Sequence, residues 1–149
     1  MHMATPHLVR IAYASAMRSE LSRADLDTLL SKWRRRNAER AITGVLLYHH
    51  ESVFQVLEGF PDLVRSLHQT ISQDPRHHSV TTLIDEPAER RSFGDWSIGH
   101  ARVVRTDLGQ LAPLKPFLEP DFRYWHCNEA MARALVDGFT IGPWRRAIS

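Results

Sequence analysis

Three polar side chains fall where the patterning of the chain calls for hydrophobes. Gln55 lies within Val53-Phe54-Gln55-Val56-Leu57-Glu58-Gly59, a β-branched and aromatic run that suits a half-buried strand. Residues two apart share a strand face, so Val53, Gln55 and Leu57 point one way and Phe54, Val56 and Glu58 the other. Both faces are mostly apolar, which describes a central strand with an amide planted inside the protein. An interior amide needs partners, because leaving it unmet costs roughly 1–3 kcal/mol. Tyr13 is in the same position: it shares a strand face with Val9, Ile11 and Ser15, and a buried phenol normally finds a hydrogen-bond partner. Asn37 falls four residues after Trp33, at the end of an apolar helical stripe formed by Leu26, Leu29, Leu30 and Trp33. Each has a plain structural explanation as well, Gln55 bonded to nearby backbone and Asn37 ending a helix. If the fold brings the three together, the chemistry is hydrogen bonding to a ligand in an apolar cleft.

The elements that must position them follow from periodicity. Leu8 to Ser15 reads as a strand. Ser22, with Asp25 three residues on, opens the helix that carries Asn37. Ile42 to Tyr48 is a second strand, and His49-His50-Glu51-Ser52 turns into the Gln55 strand. Pro61-Asp62 starts a second helix with Leu63, Val64, Leu67 and Ile71 as its buried face, ending near Asp74-Pro75. Val80 to Ile84 and Trp96 to Val103 read as the fourth and fifth strands. The fold class is therefore α+β: a ferredoxin-like βαββαβ arrangement with an added fifth strand and two helices on one sheet face. Right-handed crossovers put the first and third strands side by side at the centre, so Tyr13 and Gln55 should be neighbours facing the helices. Pro113, Pro116 and Pro120 punctuate a connection to a C-terminal helix, Asp121 to Val136, closed by Gly138. Its apolar stripe, Cys127, Met131, Ala134 and Leu135, is expected to cover the other sheet face. The chain thus divides into a unit over 8–103 and a C-terminal extension over 104–149.

Composition narrows the function classes. The 149 residues, 43% of them hydrophobic, suffice for one domain with a real core. No apolar run approaches a membrane span, and the N-terminus lacks the apolar core of a signal peptide. One cysteine, Cys127, on an apolar stripe suggests packing and a reducing, cytoplasmic setting. A net charge of +2 is too small to argue for nucleic acid. His49-His50 and His77-His78 lack a supporting carboxylate or cysteine cluster and read as surface residues rather than metal ligands. No phosphate loop or nucleophile motif appears. Arg34-Arg35-Arg36 complements a helix C-terminus.

The ordered set Tyr13-Ala14-Ser15, Asn37, Ile42-Thr43-Gly44, Phe54-Gln55-Val56-Leu57-Glu58-Gly59, Asp74-Pro75-Arg76-His77 and Arg91-Ser92-Phe93-Gly94-Asp95-Trp96-Ser97 resembles the BLUF domain, a flavin-binding blue-light sensor. It covers about two thirds of the chain, with Tyr13 and Gln55 at the required separation of 42 residues. The resemblance implies FAD bound noncovalently between the two helices, with Gln55 between Tyr13 and flavin N5 and Asn37 on the ring's carbonyl edge. Arg36, directly before Asn37, would contact the ring. Under blue light Tyr13 would give up an electron and, through Gln55, a proton. Recombination would leave the Gln55 amide rotated or tautomerised and the absorption shifted red. Trp96 and Ile98 would carry the signal outward, to a second copy of the chain or to a downstream protein partner, with no substrate turned over and no metal. Three positions depart from the family pattern: Trp33 replaces a small hydroxyl residue, Thr70 a basic one, and Ile98 a methionine. Two rivals on the same topology remain, a nucleic-acid binder, which needs exposed strand aromatics and a basic stripe, and an acyl-phosphate hydrolase, which needs a phosphate cradle.

Overall fold

The computed structural model describes residues 7–19, 21–49, 51–94, 99–102 and 121–141. In chain order these form β1 (Leu8–Met17), α1 (Arg23–Glu39), β2 (Thr43–His49), β3 (Ser52–Gly59), α2 (Pro61–Gln73), β4 (His77–Ala88), β5 (Gly99–Arg102), a 3-10 turn (Tyr124–His126) and α3 (Glu129–Ile141). They make one five-stranded sheet in the order β4-β1-β3-β2-β5, with β5 parallel to β2 and every other pair antiparallel. The expected ferredoxin-like order, with its added strand, is present.

The alternation read from the sequence divides the sheet into two cores. On the helix-covered face, Val9, Ile11, Tyr13, Val53 and Leu57 pack with Leu26 and Leu30 of α1 and Val64 and Leu67 of α2. On the other, Ala12, Ala14, Phe54, Val56 and Ile84 pack with Phe122, Tyr124, Cys127, Ala132, Leu135 and Val136. The C-terminal segment therefore covers the second face, as the bare sheet required.

Helix α1 begins where Ser22 caps it, its side chain accepting from the Asp25 backbone N–H at 3.1 Å. It ends in a Schellman arrangement: Ala41 N–H donates to the Ala38 carbonyl at 3.2 Å and Ile42 N–H to the Asn37 carbonyl at 2.8 Å. Ala41 itself takes φ 54°, the left-handed position usually given to glycine.

Several boundaries differ from expectation. β4 is much longer than Val80 to Ile84, because it pairs with β1 along nearly its whole length through two register shifts. One shift lies opposite Ser15, beside Ser79, whose φ is 55°. Such a bulge re-aims the strand's side chains, and here His77 ends up buried while His78 stays exposed, correcting the surface reading of His77. Leu63 is exposed as well, since Val64 and Leu67 take the inner face of α2. The C-terminal helix starts at Glu129, with Asn128 accepting from the Met131 N–H at 2.9 Å, and the residues before it form the 3-10 turn. Cys127 thus packs from outside the helix, and Gly138 lies within it rather than closing it. The expected fifth strand is described only over Gly99–Arg102; Trp96 and Ile98 lie outside the described residues.

Candidate functional site

Register alone brings the central pair together. Tyr13 and Gln55 are direct partners across β1 and β3, both facing α1 and α2. The Tyr13 hydroxyl donates to Gln55 Oε1. Both are nearly sealed from solvent, at 1% and 3% exposure. Burial, aided by the charge of Asp74, raises the Tyr13 pKa well above that of an ordinary phenol, so its proton is firmly held in the resting state.

These two residues form one wall of a cleft between α1 and α2 with about 730 Å³ of free space, its mouth included. Asn37, on the last turns of α1, lines the same cleft and is 2% exposed, and its side-chain amide has no hydrogen-bond partner among the described residues. Its carbonyl accepts the Schellman bond from the Ile42 N–H, while the left-handed terminating position falls to Ala41. Gln55 Nε2 likewise has no protein partner among the described residues, its oxygen being the atom taken by Tyr13. Two buried amides offering unspent donors and an acceptor to one apolar cleft fit a flat heterocycle with ring nitrogens and carbonyls on its edge.

The rest of the wall combines apolar residues such as Leu26, Leu46 and Leu67 with the charged Arg36, Asp74 and Arg76. Trp33 and Thr70, two of the unusual positions, both line the cleft; the Thr70 hydroxyl donates to the Ser66 carbonyl at 3.0 Å. Arg36 is exposed at the rim yet also lines it. Tyr48 closes another side and accepts from the Leu21 N–H at 2.9 Å, tying down the chain ahead of α1.

Sequence reasoning used Asp74-Pro75-Arg76-His77 only as a motif, but the fold places Asp74, Arg76 and His77 on the cleft. Arg76 clamps Asp74 through its guanidinium at 2.6 Å, and that hydrogen bond holds the carboxyl at a pKa of about 2. His77 Nδ1 lies 3.0 Å from Ser15 Oγ, both buried. Burial lowers the His77 pKa, against a smaller upward pull from Asp74. Ser15 was legible on the Tyr13 face of its strand. His77 was not, because its inward turn depends on a bulge that periodicity does not mark.

Glu58 also went unnoticed. It is fully buried on the sheet face opposite Gln55. Its carboxylate accepts from Arg10 Nε at 2.8 Å and from the backbone N–H groups of Ser92 and Phe93, each at 2.9 Å. Arg91 adds a bond from its guanidinium to the Glu58 carbonyl at 3.1 Å. The loop that follows β4 is thereby fastened to β3 three residues from Gln55. Cys127 is an ordinary packing residue, its thiol pushed up to about 12 by burial. Among the described residues no cluster suited to a metal ion is present, and no helix is long and apolar enough to cross a membrane.

Fold and site together define a ferredoxin-like domain whose helix-covered face holds a cleft for a flat, polar-edged cofactor. Residues 8–99 match the family of sensors of blue light using FAD. The chain belongs to this BLUF family, and FAD is its cofactor. It is 38% identical over 112 residues to the photoactivated adenylate cyclase subunit beta of Euglena gracilis, an alignment spanning 74% of this chain and 13% of that protein. It is 33% identical over 87 residues to the blue light- and temperature-regulated antirepressor BluF of Escherichia coli K12, covering 58% of this chain and 22% of the relative. The chain thus spans a small fraction of the length of these curated relatives. Among solved structures, the ground state of BlsA superimposes with a TM-score of 0.78 at 26% identity, covering 91% of this chain and 89% of that one. The dark state of BlrB gives 0.73 at 29% identity, covering 91% and 97%. Neither the nucleic-acid-binding nor the acyl-phosphate-hydrolase reading is favoured by these matches.

Proposed function

We propose that this chain signals blue light through the Tyr13–Gln55 pair, with Asn37 and Arg36 holding the flavin from α1. The observation that carries this is the Tyr13 hydroxyl donating to Gln55 Oε1 on the wall of the cleft. Bound FAD supplies a strong oxidant once it absorbs blue light. Tyr13 supplies the electron, and the existing hydrogen bond gives its phenolic proton a direct path to Gln55. Gln55 holds that proton at its oxygen and hands one on from its nitrogen, so that on recombination its amide is left with donor and acceptor exchanged. Asn37, with its unspent amide, keeps the ring's polar edge in register throughout. The buried, apolar surround excludes water, which would otherwise offer the phenol a competing acceptor.

The output runs through protein surfaces rather than turnover, and the chain acts as a cytoplasmic photosensor. Residues 8–103 form the sensing unit and 104–149 the cap that carries the signal on. Trp96 and Ile98 follow directly on the loop fastened by Glu58, which supports them as the exit. The recipient is a second copy of the chain or a separate protein, in keeping with a relative described as an antirepressor.

The test is spectroscopic. Protein reconstituted with FAD should show a reversible red shift under blue light. Tyr13→Phe should keep the flavin and lose the shifted state, because the ring still packs while the transferable proton is gone. Gln55→Leu should also lose it, having no amide to rearrange. Normal cycling in both variants would refute the mechanism, and failure to take up FAD would refute the site.

A further inference from the structure

Beside the Tyr13 ring, and outside the wall of the cleft, stands a titratable group that the photochemistry above does not use. His68 of α2 meets Tyr13 edge to face, with ring centroids 5.5 Å apart and planes at 66°. It is half-buried, and its Nε2 lies 3.3 Å from the hydroxyl of Thr82, the β4 residue paired with Tyr13. The imidazole is therefore held against Tyr13 from both the strand below and the helix above. The charged groups around it, among the described residues, are Arg65 on its own helix and Asp85 on β4, bridged to each other at 2.8 Å. From β1 it meets Tyr13, which also feels the charge of Asp74 at the end of α2.

We infer that His68 sets how readily Tyr13 gives up its electron, so that the charge on this imidazole gates the photocycle. The inference rests on the photosensor reading above. In the light step one electron leaves the Tyr13 ring for the light-excited flavin, and the phenolic proton passes to Gln55. Both return on recombination, and His68 exchanges only a proton with water. Positive charge develops on the Tyr13 ring as the electron leaves, so a neutral imidazole at its edge permits the step and an imidazolium opposes it. Burial lowers the His68 pKa, Asp85 pulls it back up and Arg65 lowers it further, so the permissive neutral form holds at neutral pH and yields to acid. His68 is a positioning residue in this scheme, since it does not line the cleft. It acts through Tyr13.

The experiment follows FAD-loaded protein from pH 8 to pH 5 by three measurements: flavin fluorescence lifetime, yield of the red-shifted state, and the nuclear resonance of the His68 ring. The lifetime reports electron donation directly, whether or not a shifted state follows. Expected is a longer lifetime and a yield lower by on the order of tenfold in acid, both with the midpoint of the His68 resonance. His68→Gln should hold the neutral-pH behaviour across the whole range, and Tyr13→Phe should remove the pH dependence of the lifetime. The inference is overturned if the His68→Gln profile matches the parent, if His68 titrates without moving the lifetime, or if the midpoint follows His77 instead. If His68→Gln fails to fold, the comparison of midpoints in the parent protein still decides. Loss of the red shift at every pH with a lifetime that tracks His68 would refute the photosensor reading while upholding control of Tyr13 electron donation by His68.

Discussion

A buried phenol that has spent its hydrogen bond on one amide oxygen can lose its proton in one direction only, and every other donor near the flavin competes with it. Trp33 is the main competitor: it lines the cleft, indole is readily oxidised, and an indole radical has no route through Gln55. Trp33→Ser should therefore raise the yield of the red-shifted state at matched FAD occupancy, measured by steady-state illumination; an unchanged or lower yield would count against the competition. Glu58 makes a different demand. Arg10 is only 15% exposed, and Glu58→Ala would take away its nearest carboxylate, leaving it Ser92 Oγ at 2.8 Å and Glu86 at 3.7 Å, and would remove an acceptor of the Ser92 and Phe93 amides. Leaving a buried charge uncompensated costs about 3–5 kcal/mol, so with Arg10 still held by Ser92 and Glu86 urea denaturation should show a loss below that range, and a smaller one for Glu58→Gln, which still offers an acceptor.

Elements explain what the residues cannot. Gly44 of the Ile42-Thr43-Gly44 motif sits in β2 where an added Cβ would run into the Val56 carbonyl oxygen of β3. Gly44→Ala should force the two strands apart and destabilise the fold by several kcal/mol, or abolish soluble expression. The end of α1 gives the opposite sign. Ala41 occupies a left-handed position that costs an L-residue about 1–2 kcal/mol, so Ala41→Gly should stabilise the protein by about 1 kcal/mol in thermal or urea melts. That gain should come with FAD affinity intact, because the Asn37 carbonyl keeps its bond. Much of this layer was legible in the chain. Period-two alternation placed Tyr13, Gln55 and Leu57 on one face and Phe54 and Val56 on the other, and the crossover rule made β1 and β3 neighbours. What escaped was set by long-range pairing. The extent of β4, the bulge at Ser79 that turns His77 inward, and the acceptance of the Ser92 and Phe93 amides by Glu58 leave no local signal. The start of α3 was misplaced because an apolar stripe continues through the 3-10 turn without a break in composition.

For the whole molecule, acid is the revealing variable. His68 and His77 both have lowered pKa values, chiefly through burial, while in the unfolded chain they protonate near 6.5. Below that pH the unfolded state binds more protons than the folded one, so stability falls as pH falls toward their folded values. Asp74 adds a second loss: its contribution is complete above the ordinary 3.8 and disappears as pH falls toward about 2. Thermal melts at constant ionic strength should be flat between pH 8 and 7, decline from about pH 6.5, and decline again below about pH 4. His68→Gln should remove part of the first decline only.

Strand β3 has one further consequence. Gln55 leaves it toward the cleft, while Phe54, Val56 and Glu58 leave toward the cap and the fastened loop. On the proposed reading, hue and message lie on opposite sides of a single ribbon, so that each should be adjustable without the other. Substitutions at Val56 or Ala132 should alter how quickly the Ser92 and Phe93 amides exchange with heavy water in light and dark, yet leave the dark absorption maximum where it stood. Substitutions at Asn37 should do the reverse.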